Sequence, residues 1–249
     1  MKKVLKILGI LIAIFVLAIV GFMVWMNESQ PTGEAGQQAE VLAQKMLEAT
    51  NKKAWDTTYC VQWTFKDVHH FFWDRKRNFV EVKWENNKVL LHTKSVTGKA
   101  YTADKLLGEE EAKPLISKAW EYFCNDSFWL LAFTKTHDEG VERTYVKQDD
   151  GQDGLMVSYA SGGVTPGDSY LWLLDENGLP TSYKMWVSII PIQGLEATWE
   201  NWEKLPTGAM VATSHKLANG MDITITNLKA SHEYKDMGYE GDVFEELNM

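Results

Sequence analysis

The histidines are the first residues to test for chemistry. His69 and His70 are adjacent in a strand-like run, and neighbours on a strand point to opposite faces, so the two cannot readily share a metal. His92, His137, His215 and His232 lack ligand-like spacing, which favours structural or solvent-exposed roles. Asp149, Asp150 and Asp153 sit among glycines in QDDGQDG, a composition able to hold Ca²⁺, but the EF-hand order and its closing Glu are missing, so the stretch reads as a solvated turn. Ser158, Ser161 and Ser169 lie near glycines without forming G-x-S-x-G, and no P-loop or dinucleotide fingerprint occurs. The residues with most to offer are aromatic. Trp63, Phe65, Trp84, Trp172, Trp186 and Trp199 fall on strand-like runs. They are read as the candidate ligand-binding set, the wall of a concave apolar pocket, with ordinary core packing as the alternative.

Composition narrows the classes. The chain has 249 residues, 45% of them hydrophobic, with 11 Trp and a formal net charge of −9. Without Lys2, Lys3 and Lys6 the count is 22 basic against 34 acidic residues, so the remainder carries 22 − 34 = −12. A domain this acidic repels phosphate backbones, which excludes nucleic acid as the expected partner. No cofactor is implied. Cys60 and Cys124 are too far apart for a CxxC motif; they could form a disulfide in an oxidising compartment or stay as buried free thiols.

Residues 7–26, ILGILIAIFVLAIVGFMVWM, hold no charge. At 1.5 Å per residue they would span roughly 30 Å, a bilayer's hydrocarbon core. No small-x-small site follows, so residues 1–26 are read as an uncleaved transmembrane anchor rather than a signal peptide. Lys2, Lys3 and Lys6 then place the N-terminus in the cytoplasm, Trp25 at the outer interface, and the domain on the periplasmic side of the inner membrane.

The elements that must position the aromatics follow in order. Residues 27–36 form a polar linker. Gln37–Thr50 has Ala39, Leu42, Ala43, Met46 and Leu47 at amphipathic-helix spacing. From Trp55 to Phe65 the period is two, which predicts one long half-buried strand. Strands are expected at Val68–Asp74, Phe79–Trp84, Val89–Lys94 and Lys99–Thr102. Glu109–Asn125 returns to helical spacing, with the regular helix expected to begin near Pro114, and Ser127–Phe133 is a buried apolar run. Strands at Val141–Lys147 and Leu155–Ala160 lead through a Thr165-Pro166-Gly167-Asp168 turn into a hairpin. Its arms are Tyr170–Leu174 and Tyr183–Ile190, joined at Asp175-Glu176-Asn177-Gly178. Leu195–Trp202, Ala209–Lys216 and Met221–Leu228 complete the sheet, and residues 231–249 read as a peripheral acidic tail. The expectation is α+β: a curved, antiparallel, open β-barrel-like sheet over residues 37–230 covered by two helices, preceded by one transmembrane helix.

From Gln37 to Leu228 this order resembles the LolA/LolB superfamily of outer-membrane lipoprotein-sorting proteins. The resemblance rests on an amphipathic helix feeding a first strand with alternating aromatics, a middle helix running into NDSFWLLAF, and consecutive hairpins with a D-x-x-G turn. It implies an unclosed barrel with a helical lid over an apolar cavity that holds lipid or acyl chains. Members are released carriers or lipid-anchored acceptors, whereas this chain is read as keeping a tether. The expected function is therefore a non-enzymatic, membrane-tethered binding domain for a lipid-like or apolar ligand. The alternatives are a protein-interaction subunit of an envelope complex, with an envelope protein as partner, and a hydrolase.

Overall fold

Turn chemistry builds this fold. At Asp175-Glu176-Asn177-Gly178 the Asp175 carboxylate accepts from the backbone N–H groups of Asn177 and Leu179 (2.9 and 2.8 Å), and Gly178 supplies a φ of 92°. The chain reverses there, and two apolar runs pair. The computed structural model describes residues 2–149, 151–161 and 167–247, without the side chains of residues 2, 19, 20 and 23–25. Thr165 and Pro166 of the expected turn, Asp150 of the acidic stretch and the Trp25 side chain lie outside the described residues.

Helices α1 (Lys2–Met26), α2 (Gln37–Ala49) and α3 (Lys52–Thr57) precede strands β1 (Cys60–Phe65), β2 (His69–Asp74), β3 (Phe79–Trp84), β4 (Asn87–His92), β5 (Thr97–Thr102) and β6 (Lys105–Leu106). Helix α4 (Glu109–Leu131) and a 3₁₀ turn (Ala132–Lys135) lead to β7 (Val141–Lys147), β8 (Asp153–Tyr159), β9 (Ser169–Leu174), β10 (Pro180–Trp186) and β11 (Leu195–Thr198). Then come β12 (Glu200–Lys204), β13 (Met210–Lys216) and β14 (Asp222–Ser231). Among the described residues these strands form two antiparallel sheets, ordered β12-β13-β14-β1-β2-β3-β4-β5-β6 and β11-β10-β9-β8-β7. A bridge from Ala197 to Leu217 links them.

The fold is α+β, but the expected membrane anchor is corrected. Helix α1 forms over Lys2–Met26 and carries Lys3 and Lys6 in its first two turns. Among the described residues no helix is long and apolar enough to cross a membrane.

Other elements differ from expectation in instructive ways. The alternating stretch from Trp55 is not all strand: residues 52–57 are helical, and β1 starts at Cys60. Tertiary contacts decide this. The Trp55 indole N–H donates to the Met210 carbonyl (2.9 Å), and Arg75 takes up the Trp55 and Thr58 carbonyls that the helix end leaves open. Helix α4 begins five residues before Pro114 and runs through SFWLLAF territory to Leu131. Residues 231–247 pack against the larger sheet. Phe244 is fully buried against Phe72 and Phe79, Arg77 makes a bidentate pair with Asp242 (2.6 and 2.9 Å), and Tyr101 donates to Glu246 (2.5 Å).

The linker is packed as well. Glu34 pairs with Tyr145 of β7, and the Glu28 carbonyl accepts from the Trp186 indole (2.8 Å). The segment therefore reaches both β7 and β10, whose outward side chains join Val146, Met156, Leu171, Leu173 and Trp186 in one apolar cluster. A Cβ on Gly33 would come within 2.2 Å of Thr144 Oγ1 and 2.9 Å of the Tyr145 carbonyl, so only glycine lets the strap lie this close. The main core lies on the inner faces of both sheets, sealed by Ala39, Ala43 and Met46 of α2 and by Ala119, Phe123 and Leu130 of α4.

Candidate ligand cavity

Helical spacing makes one wall. On α4, Trp120, Phe123, Cys124, Ser127 and Phe128 fall at i, i+3, i+4, i+7 and i+8, so they share a face. Three glutamates in the first turn suit the helix N-terminus through its dipole. Strand alternation makes the opposite wall. Tyr159 of β8, Tyr170 of β9, and Tyr183 and Met185 of β10 point inward, while Met156, Leu171 and Trp186 point outward. Register brings them together, with Tyr170 opposite Met185 on one side and opposite Val157 on the other.

Between the walls is a cavity of about 840 Å³. Trp73 of β2 closes one side, 5.0 Å from the Phe123 ring. The exposed Asp138, Glu139 and Ser161 and the half-buried Lys135 line its rim, as do Ile189 and Ile190, with Val187 buried beside them. Ile189 is 63% exposed, an apolar doorstep rather than a core residue. The aromatic lining is continuous: Phe128 lies 4.6 Å from Tyr170 and 5.8 Å from Tyr159, and Tyr170 lies 5.3 Å from Tyr183.

Electrostatics at the lining point away from nucleophilic chemistry. Burial pushes the Cys124 thiol up to about 12, so it stays protonated at neutral pH. Burial also holds the Tyr159, Tyr170 and Tyr183 hydroxyls above their ordinary range, with Asp138 adding to the effect at Tyr159 and Asp168 at Tyr170. The buried Asp168 accepts from the Ser188 backbone N–H (3.1 Å) and hydrogen-bonds the Tyr170 side chain. The Tyr159 hydroxyl has no hydrogen-bond partner among the described residues.

The six aromatics singled out by sequence are all buried, and none lines this cavity. Trp172 and Trp199 form a layer behind the lining, 5.0 and 5.6 Å from Tyr183 and 5.1 Å from each other. Trp63 stacks on Phe71 at 4.5 Å and lies 6.5 Å from Phe123, while Phe65 is 6.4 Å from His69. Trp84 meets Tyr122 edge-on at 5.5 Å. Trp186 faces outward onto the strap. The lining residues Trp73, Trp120, Phe128, Tyr159, Tyr170 and Tyr183 were not picked out. The i, i+3, i+4 stripe of Trp120, Phe123 and Cys124 continuing to Ser127 and Phe128 is the signal that could have found two of them, Trp120 and Phe128.

The remaining chemical candidates resolve locally. His69 and His70 do point apart: His69 bonds Asp126 of α4 (2.7 Å) and His70 bonds Thr64 (3.0 Å). Asp153 accepts from Tyr145 and Lys147, and Ser158 pairs with Ser169. Cys60 and Cys124 are both free thiols, one in the cluster under Phe244 and the other on the cavity wall. Among the described residues no group of three or more His, Cys, Asp or Glu could hold a metal ion.

No family model and no curated protein matches the chain. Among the solved structures similar to it are the following two. A DUF1329 family protein from Desulfovibrio piger is 12% identical, with 86% of this chain and 99% of that one covered and a TM-score of 0.46. A structure described as an outer membrane lipoprotein-sorting protein domain from Vibrio parahaemolyticus is 10% identical, with 83% and 98% covered and a TM-score of 0.37.

Proposed function

We propose that this chain is a non-enzymatic binding domain that takes an apolar, lipid-like ligand between α4 and the five-stranded sheet. The cavity carries the reading: about 840 Å³, walled by Trp73, Phe123, Phe128, Tyr170, Tyr183 and Met185. That volume falls within the roughly 300–1,000 Å³ of small-molecule sites, which are mostly apolar with a few polar groups. A void this large in an aromatic core forfeits dispersion contacts unless something fills it. Binding rather than catalysis is supported by the state of the nearby groups, since Cys124 is held protonated and His69 is committed to Asp126.

Native mass spectrometry of the full chain after gentle extraction tests the proposal. The expected spectrum contains a copurified lipid-sized adduct that is lost on Tyr183→Ala together with Phe128→Ala. Ligand-free protein that also takes up no added monoacylglycerol contradicts it.

A further inference from the structure

The rim of the cavity is charged unevenly, and its lining is ringed with aromatic faces. Lys135, Asp138 and Glu139 lie together at the rim, giving 1 − 2 = −1 from these three. Lys135 Nζ is 3.8 Å from Asp138 Oδ2, so its charge is already directed at one carboxylate. Asp168 adds a further carboxylate to the lining. Inside the rim, three rings cluster: Phe128, Tyr159 and Tyr170, with centroids 4.6, 5.8 and 5.9 Å apart. The Tyr159 hydroxyl among them is unpartnered among the described residues. An anionic head group at this rim meets like charge. A cation meets carboxylates and the negative faces of aromatic rings, the combination that suits ammonium groups.

Resting on the reading of the cavity as a lipid-like binding site, we infer that it selects amphiphiles with a cationic, ammonium-type head group over those ending in a free carboxylate. The apolar chain occupies the space beside Trp73 and Phe123, and the head group sits at the rim by Asp138 and Glu139.

Three single-chain probes of equal length separate the two claims: dodecyltrimethylammonium, dodecanoate and 1-monolauroylglycerol, titrated as monomers into the full chain by calorimetry. The uncharged glycerol ester reports the cavity alone. The ammonium probe is expected to bind one-to-one and about tenfold tighter than dodecanoate. That preference should shrink as salt is raised, because the rim carboxylates are exposed. In the Asp138→Asn, Glu139→Gln double variant the ammonium preference should fall several-fold, with the glycerol ester bound as before. Dodecanoate binding as tightly as the ammonium probe overturns the inference, as does a double variant that keeps the full preference, even while the glycerol ester still binds and the cavity reading stands. If no probe binds, the cavity reading and this inference fall together.

Discussion

His69 Nδ1 lies 2.7 Å from Asp126 Oδ2, joining β2 of the larger sheet to the C-terminal third of α4, the helix that walls the cavity. The Asp126 side chain is 6% exposed, and Tyr122 of the same helix stacks on the His69 ring at 3.8 Å. On the same helix Phe123, Ser127 and Phe128 line the cavity. Replacing His69 by Ala leaves the Asp126 carboxyl buried without its partner. We expect a loss of about 2–4 kcal/mol in urea unfolding. A loss under about 0.5 kcal/mol, the usual size of a neutral surface substitution, would show that α4 is held by apolar contacts alone.

Burial raises the Asp126 carboxyl above its usual value, with the His69 hydrogen bond opposing. A carboxyl raised on folding contributes stability at low pH that is lost as pH climbs from the usual carboxylate range through the raised value. Asp126→Asn removes this slope. Stability of the variant relative to the unmodified chain should therefore improve as pH rises from acid toward neutral, measured by chemical unfolding across that range.

His215 gives the opposite slope. It is fully buried, its Nδ1 lies 3.0 Å from the Thr198 carbonyl, and burial lowers it from 6.5 to about 4. In the unfolded chain it takes up a proton at higher pH than in the fold. Stability contributed by the neutral ring is complete above the unfolded value and declines as pH falls from about 6.5 through about 4, a loss on the order of 3 kcal/mol. Substituting His215 by Gln should flatten that part of the pH profile. An unchanged profile would assign the acid sensitivity to other groups.

The strap and the C-terminal segment are tested by two further variants. Gly33→Val forces a side chain into Thr144 and the Tyr145 carbonyl, so residues 27–36 should become cleavable by protease while the sheets stay intact. Phe244→Ala opens a hole beneath Phe72 and Phe79 and should cost about 3–5 kcal/mol in thermal or urea unfolding.

Legibility in the sequence followed local physics. The turn at Asn177-Gly178 and the helix over Gln37–Ala49 were readable because each is written in consecutive residues. The Trp55 region misled because Trp55 and Thr57 keep the period of the strand that follows, while contacts from Arg75 and Met210, distant in sequence, decide for a helix. The strand tryptophans Trp172 and Trp199 back Tyr183 rather than line the cavity, whereas Trp73, Trp120 and Trp129 line it together with tyrosines and other residues of α4. Which inward residues border a void depends on how far α4 stands from the five-stranded sheet, and no single-residue pattern encodes that distance. The acidic appearance of residues 231–249 concealed Phe244, which is buried two residues beyond Asp242, the partner of Arg77.

Cys124 offers the most direct measurement of the central claim, since its thiol borders the cavity and is not in a disulfide. The full chain is treated with a small thiol reagent at alkaline pH, with and without saturating 1-monolauroylglycerol, and modification of Cys124 is followed by peptide mass spectrometry with Cys60 as the internal control. If the cavity receives an apolar chain, the amphiphile slows Cys124 modification at least several-fold, saturates at one equivalent, and leaves Cys60 unchanged. Equal rates at Cys124 with and without amphiphile would contradict the assignment of this cavity as the binding site.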